Sequence, residues 1–168
     1  GFRWIRIGEN MDKDRKERIQ NLQIKNRRKL LCEKINMHLD DIKLDDFISL
    51  NDTKKLQEIV FSIMEDMDAK NEFLISSLDV SYGKILEDNK QYFEQKDGDK
   101  IVFFHHDALE IGAIELNIRT VLNNISYIVS ESEMGIRGCR ILLVSKDVKY
   151  GLCLWRGEYE IKLYKWIH

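Results

Sequence analysis

The chain has 168 residues, 43% of them hydrophobic and 33% charged, with a formal net charge of −2. This apolar share excludes an intrinsically disordered chain, the length suits one domain, and no apolar run approaches the roughly 20 residues of a membrane-spanning helix. Proline is absent where average usage of about 5% would give roughly eight, and three alanines stand beside 21 isoleucines and 17 lysines. An AT-rich bacterial or phage genome explains that bias without selection on structure.

Residues 1–10 (GFRWIRIGEN) read as an arm or tag, and residues 11–168 as a single α+β domain. Within it, residues 11–78 read as mainly helical and 79–168 as sheet and helix. Over 11–42, Ile24, Leu31, Ile35, Leu39 and Ile42 recur at helical spacing opposite the charged runs DKDRKER and KNRRK. Ser49 or Asn51 caps the next helix, whose apolar face is Leu56, Ile59, Val60, Ile63, Met64 and Met67 and which runs on towards Phe73 or Leu78. Residues 80–95 admit a short helix or a strand. After the turn Asp97-Gly98, KIVFFH predicts a strand over 100–105.

Asp107 to Glu110 has the form of a capping box. It opens a long helix with the stripe Ile111, Ile114, Ile118, Val121, Leu122, Ile125 and Val129. Residues 130–138, with Gly135 and Gly138, form a loop. Three strands follow, RILLVS, YGLCLW and YEIKLYKW, joined by tight turns. The expected architecture is therefore α+β: N-terminal helices plus an antiparallel sheet of about four strands packed against a long helix on one face.

Cys32, Cys139 and Cys153 are odd in number and lack a CxxC spacing, so they read as reduced buried thiols of a cytoplasmic protein. No spacing of ligands calls for a metal, and no nucleotide signature calls for a cofactor. His105 and His106 fall at a strand–helix junction, where strand geometry turns them to opposite faces. Glu160-Ile-Lys162 has the E-x-K form of metal-dependent nucleases, with Asp147 or Glu110 as the acidic partner it would need. Such a triplet is frequent by chance in a chain this rich in Glu and Lys, and an exposed alternating strand accounts for it. The chain is therefore read as non-catalytic.

The net charge conceals a polarity: residues 1–34 carry +6, residues 35–101 carry −8, and residues 102–168 are neutral. Both blocks can be solvated faces, or can pair with each other. Arg15, Arg18, Arg27, Arg28 and Lys29 could otherwise contact the phosphates of a nucleic acid. Asp40, Asp41, Asp45, Asp46, Asp66 and Asp68 could dock on a partner protein with a basic surface. Aromatic residues gathered at Tyr150, Trp155, Tyr159, Tyr164 and Trp166 would suit a protein partner or a homodimer mate. In size, composition and organisation the chain is similar in kind to bacterial immunity proteins. That likeness implies a cytoplasmic inhibitor of a cognate toxin acting through its acidic residues, with a nucleic-acid-binding regulator as the alternative and no role at a membrane.

Overall fold

The computed structural model describes residues 2–132 and 138–168, with side chains from residue 8 onward. The chain is α+β, seven helices and a six-stranded sheet among the described residues. Helix α1 spans Phe2–Ile35, and a 3-10 turn at Leu44–Asp46 leads to α2 at Leu50–Ala69. Strand β1 (Leu74–Ser76) and the short helices α3 (Tyr82–Asp88) and α4 (Lys90–Glu94) follow. Then come β2 (Lys100–Phe103), α5 (Ala108–Ile111), β3 (Ile114–Asn117), α6 (Ile118–Asn123) and α7 (Ile125–Glu131). The last strands are β4 (Cys139–Val144), β5 (Tyr150–Arg156) and β6 (Ile161–Ile167). The sheet is antiparallel throughout, in the order β1-β6-β5-β4-β2-β3.

Helices cover both faces of this sheet, not one. Alternation sends Ile101 and Phe103, Ile141 and Leu143, and Leu152 and Leu154 to one face. There they meet the C-terminal end of α1 with Leu31, Cys32 and Ile35, together with α3, α4, α6 and α7. Val102, Leu142, Val144, Cys153 and Trp166 point the other way, onto Leu56, Val60, Met64 and Met67 of α2. A bulge between Cys139 and Ile141 reverses the alternation, so Cys139 joins the α2 face with its sulfur 3.8 Å from that of Cys153.

Helix α2 starts where the side chain of Ser49 accepts the Asp52 amide at 3.0 Å. Replacing that cap should cost about 1 kcal/mol, so Ser49→Ala is expected to shift the denaturation midpoint with an unchanged m-value. A shift below a quarter of that size would show that the cap contributes nothing. The helix ends at Ala69 and does not reach Phe73. Asn71 turns the backbone through a positive φ of 53°, and residues 74–76 leave as an edge strand paired to β6.

The long helix expected over 107–129 is not formed. Asp107 makes no capping bond, and α5 ends after one turn at Gly112, whose backbone (φ 96°, ψ 145°) lies where essentially only glycine goes. Ile114 and Leu116 then point inward on β3, paired with β2, before α6 and α7 resume. Six of the seven stripe residues are β-branched, so the spacing served a strand as readily as a helix. Of the 130–138 loop, residues 133–137, including Gly135, lie outside the described residues.

Helix α1 is continuous through residues 2–10. Every side chain from residue 8 to 23 is exposed, and Gln20, Asn21 and Gln23 only edge shallow clefts beside α2, so about 18 Å of the helix, residues 8–19, projects beyond them. Among the described residues no helix is long and apolar enough to cross a membrane.

Candidate functional site: an aromatic–acidic groove

The C-terminal half of α2 and the turn joining β5 to β6 diverge, leaving an open groove of about 500 Å³. Helical spacing brings Phe61, Met64, Glu65 and Asp68 to its edge from α2. The strands contribute Trp155 from β5 and Lys162 and Tyr164 from β6, which project to the α2 face by alternation. The turn between them, closed by the Gly157 amide on the Glu160 carbonyl at 2.8 Å, adds Glu158, Tyr159 and Glu160.

The groove wall is fixed by specific contacts. Trp155 meets Phe61 edge-on, with ring centroids 6.0 Å apart. The Tyr164 hydroxyl donates to Asp68 Oδ1 at 2.6 Å; burial, reinforced by that carboxylate, pushes its phenol pKa up. Lys162 Nζ sits 3.7 Å from the same oxygen and 4.5 Å from the centroid of the Phe73 ring. Among the described residues, four carboxylates therefore line the groove against one cation, Lys162. Tyr159 stands at its mouth 82% exposed, the most exposed large apolar side chain among the described residues.

The acidic residues singled out from sequence do not form one surface. Asp40, Asp41 and Asp46 share a small recess with Glu115 beside β3, where Asp46 also accepts the Lys43 amide at 2.8 Å. Asp45 faces Lys25 and Arg28. Asp66 pairs with Lys70 at 3.0 Å, and only Asp68 enters the groove. The two groups lie at opposite ends of α2, about 27 Å apart along its axis.

The basic residues divide as well. Arg15, Arg18 and Lys29 are exposed on α1. Arg27 instead holds Glu110 at 2.5 Å and Asp107 at 3.5 Å. Arg28 donates to the Ile111 carbonyl at 2.7 Å and lies over the Phe47 ring. Lys34 reaches Glu131 at 2.8 Å. The ion pairs of the basic helix are thus made with acids of the neutral last third, while Arg28 also reaches Phe47 and the Ile48 carbonyl of the acidic middle.

His105 is fully buried with both nitrogens engaged. Nδ1 accepts the Asp107 amide at 3.1 Å, which leaves Nε2 to donate to the Gly112 carbonyl at 2.7 Å. His106 is exposed, its nitrogens 3.2 Å from Asp107 and from Glu131, a carboxylate only 4% exposed that the sequence did not single out. The acidic partners considered for Glu160 and Lys162 lie elsewhere. Asp147 is in the turn at the other end of β5, and Glu110 is held by Arg27. Among the described residues no group of three or more His, Cys, Asp or Glu side chains could hold a metal ion.

An antiparallel sheet covered on both faces, with an open groove where α2 leaves the last hairpin, defines a small three-layer α+β domain. The chain belongs to the YxiF protein family, whose model matches residues 31–166. The match begins at Leu31, the first buried side chain of α1 among the described residues. No curated protein and no solved structure matches the chain.

Proposed function

We propose that the protein is a non-catalytic, cytoplasmic binding protein of bacterial origin, an immunity protein that neutralises a cognate toxin by docking an acidic surface on a basic one. The observation that carries this reading is the groove, where an exposed tyrosine and a tryptophan stand among four carboxylates and one lysine. Exposed aromatic residues supply binding energy, and a field of one sign selects and steers a partner of the other. The nucleic-acid reading has weaker support, because Arg27 and Arg28 are committed to contacts within the fold.

Reversing the groove charge with Glu65→Lys and Glu160→Lys should slow association with the cognate toxin about tenfold at low salt, and far less at high salt. It should also abolish protection of cells expressing that toxin. Unchanged association and protection would overturn the siting in the groove.

A further inference from the structure

We propose that the groove receives the guanidinium of an arginine carried on an exposed segment of the partner protein. This deepens the binding reading above and rests on it. The groove combines two features that favour one kind of occupant. Among the described residues its carboxylates, from Glu65, Asp68, Glu158 and Glu160, outnumber its cations and leave it in need of positive charge. Its walls include the rings of Trp155 and Tyr159, which a bare metal ion would not use and which a flat cation can stack upon.

The protein itself displays a smaller version of this arrangement. At the margin of the groove Lys162 places its ammonium over the Phe73 ring while facing Asp68. A guanidinium suits the main groove better than an ammonium. It is planar, weakly hydrated and forked, so it can lie on an indole or phenol face and still donate to carboxylates at its edge.

The test is a ¹H–¹⁵N NMR titration of the full chain with N-acetyl-arginine methylamide, read at the indole N–H of Trp155. The Trp155→Phe variant assigns that signal among the three tryptophans. A saturable shift is expected with the arginine probe. The lysine analogue should bind about threefold more weakly or worse, and the neutral citrulline analogue should give no saturable shift. Glu65→Gln combined with Glu160→Gln should remove the response without unfolding the protein, since both residues lie at the groove rim and not in the core. Lys162→Met, which takes away the resident cation, should tighten the arginine probe about threefold.

A citrulline response equal to that of arginine, no saturation with any probe, or an unaltered response in the double glutamine variant would each overturn the proposal. The two readings fail separately. Arginine binding without any toxin neutralisation would retain the guanidinium site and refute the immunity function. Neutralisation that ignores the groove variants would retain the function and refute the site.

Discussion

Gly112→Ala is expected to destabilise the protein by about 4 kcal/mol, roughly 10 °C in melting temperature. Two effects add. The backbone there (φ 96°, ψ 145°) is strained for any residue with a Cβ, at about 1–3 kcal/mol. A Cβ would also lie 2.3 Å from the Ile48 carbonyl oxygen and 3.1 Å from the Arg28 guanidinium. The segment cannot move aside cheaply, because four other parts of the molecule grip it. Arg28 of α1 bonds the Ile111 carbonyl, and His105 after β2 bonds that of Gly112. The Ile48 amide bonds the Ala113 carbonyl at 2.9 Å, and Thr53 of α2 accepts the Ala113 amide at 3.0 Å. Gly98→Ala separates the two effects: its φ is 94°, but nothing lies within 4 Å of the added carbon. Urea denaturation should show a loss of about 1 kcal/mol there, as for strain alone. Equal losses at the two positions would refute the packing argument.

Acid should unfold the protein earlier than its carboxylates alone dictate. Burial lowers the pKa of His105 from its ordinary 6.5 to about 4, opposed by its bond to Gly112 and modulated more weakly by His106, Asp107 and Glu131. The folded state therefore holds this proton less tightly than the unfolded chain does. Its contribution is fully present above pH 6.5 and is lost as pH falls from there towards 4. About 2 kcal/mol should disappear between pH 7 and pH 5, where aspartates and glutamates change little, and about 3 kcal/mol by pH 4. His105→Gln retains a donor for the Gly112 carbonyl but no titrating group. Its stability should start lower and stay nearly level across pH 7 to 5. A wild-type profile that is flat over the same interval would remove the histidine from this role.

Some of this fold was legible in the sequence. Leu56, Val60, Met64 and Met67 gave α2 its face, Ser49 its start, and three short apolar runs separated by turns the last three strands, the final one by its alternation. The second helical layer could also have been read, because β2 and β4 carry unbroken apolar runs (IVFF and ILLV) that need cover on both sides. β1 could not. Three residues are too short for a period, and they become a strand by pairing with β6 nearly ninety residues later. The 107–129 stripe misled because isoleucine and valine repeat at intervals that helix and strand both tolerate, and the deciding residue was a single glycine. The groove had only half a signal. The aromatic bias of the last strands was visible, but Asp68 and Tyr164 meet across 96 positions of sequence. The acidic residues near position 45 were grouped with those near 67 because they are close in the chain, whereas α2 holds them apart.

That same helix behaves as a beam pinned at both ends. Thr53 fixes one end to the backbone of Ala113, and Asp68 fixes the other to the Tyr164 hydroxyl. The pins are about 22 Å apart, so a tilt of roughly 5° at the first swings the second by about 2 Å, enough to break its hydrogen bond. The shape of the groove is thus set partly near the opposite edge of the sheet, by a joint between the Thr53 hydroxyl and the backbone just after Gly112.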